Sequence, residues 1–260
     1  MTRIAIVGNG FVGAGMLKIF PEARVIDPPK GIGSLEDATD CEMAIVCVPT
    51  PRDPITGQCV TGIVEEVVRA LPPRPLILIK STVEPGTTQR LMNDTRRPIV
   101  FSPEYMGESR YWTPPEYPAP DDPIGHRFMI IGGYSKDCSR AADVFLPRLG
   151  PATRFRFMSA TEAELVKYAE NCFFALKVTF ANELRRICDR AGVNYHTVRE
   201  GWLDDPRVGP MHTAAFKDAP GFGGKCLPKD ISALAAFCRR SGMPSELLEA
   251  VIATNEATSV

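Results

Sequence analysis

The pattern of apolar and polar positions divides the chain into two parts of different character. Up to about residue 158, short runs rich in Ile, Val and Leu alternate with stretches in which apolar residues recur at helical spacing. Strands are predicted over residues 3–7, 24–27, 43–48, 76–81, 99–102, 128–132 and 154–158. Several of these runs are almost continuously apolar, as expected of strands buried on both faces of a parallel sheet. The alternation predicts an α/β fold with a doubly wound, Rossmann-type sheet.

The periodicity also predicts the helices and a boundary between two domains. Helices are predicted over residues 13–20, 63–70, 87–93 and 136–149, and later over 195–202, 229–240 and 245–257. From Ser159 the pattern is helical throughout, and Thr161 with Glu164 is interpreted as a capping box that opens a long helix ending near Gly192. We therefore predict a sheet domain over residues 1–158 and an all-helical domain over residues 159–260. Residues 110–125, rich in Pro and Tyr, are predicted to form an ordered surface loop or lid.

A glycine-rich turn follows the first predicted strand and opens the first predicted helix. Its sequence is Gly8-Asn9-Gly10-Phe11-Val12-Gly13, the GxGxxG pattern of dinucleotide-binding turns. The first glycine permits the tight turn, the second admits a pyrophosphate, and the third allows close helix–strand packing. Asp27 ends the next strand, where a carboxylate accepts hydrogen bonds from the ribose hydroxyls of adenosine. The motif predicts NAD as the cofactor, in preference to NADP.

The region after Asp27 is shorter than this type of fold usually has. Only 15 residues separate Asp27 from Met43, which leaves no room for a full helix and another strand. We expect the adenine side of the cofactor pocket to be open.

Composition excludes several other classes of function. The chain of 260 residues has a net charge of −1 with scattered basic residues, so neither a nucleic-acid nor a membrane surface is indicated. It has no targeting segment or long apolar run, and the expected location is cytoplasmic. The three histidines lack ligand spacing, so no metal site is predicted. Most of the eight cysteines lie in apolar patterns, and seven of them are expected to be buried and reduced.

The eighth cysteine, Cys226, lies in the segment GFGGKCLPKD, residues 221–230. Glycines lead to the cysteine, and Pro228 suits the first turn of a helix that continues to residue 240. A helix N-terminus and the neighbouring Lys225 and Lys229 both lower the pKa of a thiol. The segment therefore predicts a nucleophilic thiolate with room for a substrate beside it.

Six segments in order resemble the UDP-glucose/GDP-mannose dehydrogenase family. They are IAIVGNGFVG, VCVPTP, KSTVEPGTT, SPEYMGES, ELVKYAEN and GFGGKCLPKD, and they extend over almost the whole chain. The resemblance implies NAD-dependent oxidation of a sugar-nucleotide alcohol to a carboxylate, with two NAD⁺ consumed. It also implies a homodimer formed through the helical region.

The resemblance implies roles for individual residues. Cys226 is similar to the family nucleophile, Lys167 and Asn171 to the pair that holds the reacting oxygen, and Asp230 to the acid paired with the cysteine site. Thr82 and Glu108 are similar to residues near the hydrolytic water, and Arg207 to an arginine that reaches a neighbouring subunit's sugar. Cofactor contacts are implied for Gly8, Gly10, Phe11, Val12, Gly13, Asp27, Val48, Pro49, Thr50, Ser81, Thr82 and Lys229. Substrate contacts are implied for Glu104, Tyr105, Met106, Gly107, Glu108, Lys167, Asn171, Arg207 and Gly223.

The implied chemistry is consistent with the residue types. Oxidation of an alcohol to an acid removes two hydrides, and the aldehyde formed between them must be trapped. A thiolate traps it as a thiohemiacetal, which becomes a thioester and is then hydrolysed. Lys167 and Asn171 supply donors suited to a developing oxyanion.

Three departures from the family pattern leave alternatives open, and the shortened region after Asp27 is one of them. Lys225 stands where the family usually has a small hydroxyl residue, and the family's further α/β domain, which binds much of the nucleotide, does not follow Val260. The substrate is then smaller or held differently, a partner supplies the missing surface, the chain is a compact form of weak activity, or it is part of a longer protein. Two other functions compete: a two-electron dehydrogenase of a small hydroxy acid, whose class shares the Lys-x-x-x-Asn pair but lacks the cysteine, and a non-catalytic NAD-binding remnant.

Overall fold

The computed structural model describes residues 3–107 and 121–258. Within these residues the chain forms two compact units. The first, the sheet unit, takes residues 3–51, 59–107 and 121–167, and the second, the helical unit, takes residues 52–58 and 168–258. The division falls inside one long helix, and the predicted domain boundary at residues 158/159 stays a prediction.

The sheet unit contains seven strands, and every predicted strand is found. They are β1 (Ile4–Val7), β2 (Arg24–Ile26), β3 (Met43–Val46), β4 (Leu76–Ile79), β5 (Ile99–Phe101), β6 (Phe128–Gly132) and β7 (Arg154–Met158). Their order across the sheet is β2-β1-β3-β4-β5-β6-β7, with only the β5–β6 pair antiparallel. The predicted α/β class with a Rossmann-type sheet is confirmed. The carboxyl ends of β1, β3 and β4 meet at one edge, where ligands bind in sheets of this kind.

Helices cover both faces of the sheet, and alternate residues of each strand pack against the helices on opposite sides. The helices are α1 (Phe11–Ile19), α2 (Gly62–Ala70), α3 (Thr87–Thr95) and α4 (Ser135–Leu149). On one face, Ala5, Val46 and Ile77 belong to a core cluster with residues of α2 and α3. On the other face, the alternate residues belong to a second cluster with residues of α1 and α4. This double burial explains why the strands are apolar along their whole length.

The segment between β2 and β3 is abbreviated, as predicted. It contains two short 3₁₀ helices, Pro28–Lys30 and Leu35–Ala38, in place of a full helix and a strand. The backbone N–H of Asp27 donates to the carbonyl of Ile32 at 2.7 Å, which folds the segment back on itself.

The helical unit is built around the long helix α5 (Ala160–Ala191), whose first turns belong to the sheet unit. The later helices are α6 (Tyr195–Leu203), α7 (Leu227–Arg240) and α8 (Glu246–Thr258). The core of the helical unit includes Cys172 and Ala175 of α5, Ile231 of α7 and Val251 of α8. None of the helices in the described ranges is both long and apolar enough to cross a membrane.

One predicted local feature of α5 is wrong. The capping box is formed by Ser159 and Glu162, since the N–H of Ser159 donates to Glu162 Oε2 at 2.7 Å and the N–H of Glu162 donates to Ser159 Oγ at 3.3 Å. Glu164 instead accepts hydrogen bonds from the N–H groups of Gly86 and Thr88, at 2.6 and 2.7 Å. It therefore caps α3, a different helix. Of the predicted loop over residues 110–125, residues 110–120 lie outside the described residues.

Candidate active site

The glycine turn of the sheet unit combines tight packing with open space. Gly8 has φ +100°, and a Cβ there would lie 2.6 Å from the carbonyl oxygen of Cys47. A Cβ at Gly13 would lie 2.0 Å from the oxygen of Gly8, so neither position accepts a side chain. At Gly10, which immediately precedes α1, a Cβ would meet no atom within 4 Å. The open space beside a helix N-terminus fits the pyrophosphate of a dinucleotide.

Asp27 is held beside this turn. Its Oδ2 accepts a hydrogen bond from the N–H of Asn9 at 2.8 Å and lies 3.3 Å from the ammonium of Lys30. The same ammonium donates to the carbonyl of Asn9 at 2.5 Å. The carboxylate thus has the position that the motif predicts for a ribose-binding group. Sequence reasoning missed Lys30, although its spacing of three residues from Asp27 was a visible signal.

The loops that follow β3 and β4 are tied together at the same edge. The hydroxyl of Ser81 donates to the carbonyl of Val48 at 2.7 Å. The carbonyl of Thr82 accepts a hydrogen bond from the thiol of Cys59 at 3.4 Å. Thr50 is buried, whereas Pro49 is exposed. The predicted cofactor residues of these two loops are therefore brought together with the glycine turn.

Glu104 lies in a buried polar cluster after β5. Its Oε2 is 3.2 Å from the ammonium of Lys80, and its Oε1 accepts hydrogen bonds from the N–H groups of Tyr105 and Met106, both at 2.8 Å. Burial opposes ionisation, but Lys80 and the two N–H groups hold the pKa of Glu104 below its ordinary value. Lys80 also donates to the carbonyl of Pro103 at 3.0 Å. Sequence reasoning missed this ion pair; its signal was a lysine at the end of a strand that is otherwise apolar.

Lys167 lies close to the segment that follows Glu104. Its ammonium is 5.6 Å from the centroid of the Tyr105 ring, a cation–π distance. The Tyr105 ring packs edge-on against Phe128, with centroids 4.8 Å apart. Gly107 is the last residue described before the gap, and Glu108 lies outside the described residues.

In the helical unit, Cys226 immediately precedes α7 and is exposed, while the other seven cysteines of the chain are buried. Burial raises the pKa of the Cys172 thiol to about 12 and that of Cys138 to about 11. The sequence prediction of seven buried cysteines agrees with these positions. Pro228 in the first turn and Lys225 beside the thiol are where the sequence predicts them.

Asp230 is the centre of a second buried cluster. It is 1% exposed, accepts a hydrogen bond from the amide of Asn171 at 2.5 Å and pairs with the ammonium of Lys229 at 2.5 Å. Asn171 is itself buried on α5, four residues after Lys167 and on the same helix face. The structure thus brings together Asn171, Lys229 and Asp230, one turn after Cys226.

Two predicted substrate residues lie at the surface of the helical unit. Arg207 forms an ion pair with Asp205 at 2.5 Å, and its side chain is 87% exposed. Gly223 is exposed, and a Cβ there would meet no atom within 4 Å. Among the residues described, no cluster of three His, Cys, Asp or Glu side chains could hold a metal ion.

The helical part of the chain matches a known protein family, and the chain is similar to several known dehydrogenases. Residues 161–257 match the central domain of the UDP-glucose/GDP-mannose dehydrogenase family. The chain is 30% identical to a UDP-glucose 6-dehydrogenase of Rickettsia bellii (strain RML369-C) over 187 residues, which are 70% of this chain and 41% of that relative. The structure of a UDP-glucose dehydrogenase from the archaeon Pyrobaculum islandicum superposes with a TM-score of 0.83 at 27% identity, covering 99% of this chain and 68% of that one.

A likeness of fold extends beyond this family. A 3-hydroxyisobutyrate dehydrogenase of Mycobacterium tuberculosis superposes with a TM-score of 0.70 at 17% identity, covering 97% of this chain and 91% of that one. The chain spans about two fifths of the length of the first curated relative that it matches. Residues 161–257 thus match the central domain of the UDP-glucose/GDP-mannose dehydrogenase family, and the relatives that are similar over a larger part of the chain are UDP-glucose dehydrogenases.

Proposed function

We propose that the chain catalyses the NAD-dependent oxidation of a nucleotide sugar. The substrate is a UDP-glucose-like compound, whose 6-hydroxyl group is oxidised to a carboxylate. The observation that carries the proposal is the exposure of Cys226, the one cysteine of eight that lies at a helix start. Placement at a helix N-terminus with lysines beside it favours the thiolate, which is the nucleophilic form.

The residues at the edge of the sheet fit the cofactor. Gly8, Gly10 and Gly13 would hold its pyrophosphate against the start of α1, and Asp27 would accept the ribose hydroxyls. The further proposed contacts are Phe11, Val12, Val48, Pro49, Thr50, Ser81 and Thr82 of the sheet unit, and Lys229 of α7. When bound, NAD⁺ supplies the hydride acceptor that both oxidations require.

Cys226 has the role of trapping the aldehyde. Its sulfur adds to the aldehyde carbon, and the carbonyl oxygen takes up a proton to give a thiohemiacetal. Loss of a second hydride and of the hydroxyl proton leaves a thioester. Water then adds to the thioester carbon, the C–S bond breaks, and the acid and the thiol are released.

Lys167 and Asn171 would donate to the oxygen on which negative charge develops, since both carry N–H groups on one face of α5. Asp230 fixes the amide of Asn171 through their 2.5 Å hydrogen bond. Thr82 and Glu108 would orient the hydrolytic water. Glu104, Tyr105, Met106, Gly107, Glu108, Arg207 and Gly223 are proposed as substrate contacts.

The test is the stoichiometry of NADH across a panel of UDP- and GDP-sugars. Two NADH per substrate consumed is expected, because the thioester route removes two hydrides. Cys226→Ser should lower steady-state turnover by at least about a thousandfold, a loss typical of removing a nucleophile. Cys238→Ser, at a buried position on α7, is the matched control. Full turnover in Cys226→Ser would exclude the thioester route.

A two-electron oxidation of a small hydroxy acid is the second candidate. The observation in its favour is the likeness of fold to the 3-hydroxyisobutyrate dehydrogenase, which covers most of both chains. It predicts one NADH per substrate and no effect of Cys226→Ser. Tight NAD binding without turnover on either substrate class would instead indicate a non-catalytic NAD-binding protein.

A further inference from the structure

A basic cavity of about 350 Å³ lies in the sheet unit, between the end of α3 and the start of α4. Its volume is within the range of small-molecule sites. Pro98, which lines it, immediately precedes β5, so the cavity lies at the edge where β5 begins. The glycine turn follows the end of β1, which runs in the same direction as β5, and therefore lies at the opposite edge. This cavity is distinct from the cofactor site.

The charge of the cavity is strongly unbalanced. Arg96, Arg97, Lys136 and Arg140 line it, against the single carboxylate of Asp137, an excess of three positive charges. Asp137 is buried and its Oδ1 lies 3.2 Å from Arg140, so it neutralises that one cation. Concave walls that carry charge of one sign concentrate the field and attract ligands of the other sign.

Arg97 is the most constrained of these cations. One terminal nitrogen donates to the carbonyls of Val68 and Leu71, both at 2.7 Å, and the other to the carbonyl of Pro72. Its Nε is buried without an acceptor among the described residues. Burial lowers the pKa of Arg97, since its neutral partners do not offset the loss of hydration. An anion in the cavity would supply the missing negative charge.

Two further features favour a phosphate-bearing ligand. The cavity includes the start of α4, whose first backbone N–H groups and helix dipole favour phosphate oxygens. Tyr134, which lines the cavity, precedes that helix and is 53% exposed, and an aromatic ring can stack on a nucleotide base. We propose that this cavity binds a small phosphate-bearing anion, held by Arg96, Lys136 and the start of α4.

The test measures binding of inorganic pyrophosphate by titration calorimetry in the whole chain. Because the glycine turn is itself a phosphate site, all titrations use a Gly10→Glu background; a side chain fits there, and its carboxylate repels anions. Arg96→Asn with Lys136→Gln should weaken binding at least about tenfold, because two charge-assisted contacts are removed. Asn is chosen at position 96 because its φ of +56° suits that residue.

The matched control is Arg74→Asn with Lys217→Gln, which removes the same charge from two exposed positions outside the cavity. It should change affinity less than about twofold, a nonspecific charge effect only. The single variant Lys136→Gln serves if the double variant unfolds. No binding in the Gly10→Glu chain, or an equal loss in the cavity and control variants, would overturn the proposal.

A second arm identifies the source of the phosphate. UMP is titrated beside pyrophosphate, in the same background and in Tyr134→Leu. Tighter binding of UMP that disappears in Tyr134→Leu would identify a nucleotide, with its base on the tyrosine ring. Equal binding of both probes would identify a phosphate compound without a base. Both interpretations also require that the Arg96→Asn, Lys136→Gln double variant binds the probe more weakly.

Discussion

Buried charged side chains in this chain are held by specific partners, and removing a partner has a predictable cost in stability. Lys80 and Glu104 are both buried and only 3.2 Å apart. A buried pair adds little net stability, but breaking it leaves an uncompensated charge. The sequence predicted Glu104 as a site residue but not its partner, because a lysine at a strand end is ordinarily solvated.

We expect Lys80→Met to lower the free energy of unfolding by about 3–5 kcal/mol at pH 7. The pKa of Glu104 is held low in the fold, so its stabilisation is present above the unfolded pKa and is lost as pH falls through the folded value. In the variant no ammonium offsets burial, so the pKa of Glu104 rises above its ordinary value of 4.5 and the carboxylate takes up a proton; the deficit relative to wild type should therefore narrow between pH 7 and pH 5. Urea denaturation at pH 7 and pH 5 measures this.

Lys18→Met is the control for this experiment, since Lys18 forms an exposed pair with Asp121 at 3.7 Å. Its effect should stay below about 1 kcal/mol. An equal loss in both variants, or a deficit for Lys80→Met that is the same at both pH values, would contradict the interpretation.

We expect His212 to make the helical unit sensitive to acid. Its ring stacks on Phe174 with centroids 4.0 Å apart, and burial together with Lys177 lowers the pKa of His212 to about 4. Between the unfolded value of about 6.5 and this value the unfolded chain binds the extra proton. Stability should therefore fall as pH drops through that window, by about 1–2 kcal/mol once solvent screening is allowed for.

Unfolding measured from pH 7.5 to pH 4.5 tests this expectation. His212→Gln should flatten the dependence over that window. His196→Gln, at an exposed position, should leave it unchanged. A slope that persists in His212→Gln assigns the acid sensitivity to other groups.

At the scale of elements, the capping of α3 by Glu164 links two separate helices. Its carboxylate is fully buried and accepts two backbone N–H groups, of Gly86 and Thr88, at the start of α3. Burial raises the pKa of Glu164, against the effect of these hydrogen bonds. Burying the carboxyl group costs free energy, and this cost is offset because the cap satisfies two N–H donors that would otherwise lack an acceptor.

We expect Glu164→Ala to destabilise the chain by about 2–3 kcal/mol, because both donors lose their acceptor. Glu164→Gln should cost about half as much, since its one oxygen replaces one of two acceptors. Glu162→Ala, at the exposed capping box of α5, should cost about 1 kcal/mol. Thermal unfolding of the three variants gives the order of their losses in stability. A larger loss of stability for Glu162→Ala than for Glu164→Ala would contradict the expectation.

Elements were predictable from the sequence where burial on both faces leaves a continuous apolar run, as in β1 and β3. The capping box was not, because Ser159/Glu162 and Thr161/Glu164 both match the pattern. Which glutamate caps its own helix depends on whether another helix start lies within reach. That is a tertiary contact, and the spacing of residues along the sequence does not predict it. The pairing of Lys80 with Glu104 was hidden for the same reason.

At the scale of the whole molecule, α5 presents an apolar stripe with a seven-residue repeat. Phe173, Phe180 and Ile187 are 56%, 51% and 57% exposed. Phe180 also packs edge-on against Trp202, with centroids 5.7 Å apart. Large apolar side chains at this spacing favour packing against another helix. We therefore propose a homodimer formed through this stripe.

Sedimentation equilibrium at micromolar concentration should give the dimer mass for wild type. Phe180→Glu with Ile187→Glu should give the monomer, because two charges would be buried at the interface. Leu247→Glu, at an exposed position of α8, should leave the dimer intact. A monomeric wild type, or a double variant that still dimerises, would contradict the proposal.

The shortened segment after β2 has a consequence for self-association. Within residues 3–107 and 121–258 no further strand pairs with β2, so β2 is one edge of the sheet, and β7 is the other. Exposed edges invite pairing with a second chain and can seed fibrils. Here β2 has three residues and its Arg24 pairs with Asp40, while β7 carries the exposed Arg154 and Arg156. Short, charged edges of this kind disfavour growth of the sheet from one molecule to the next.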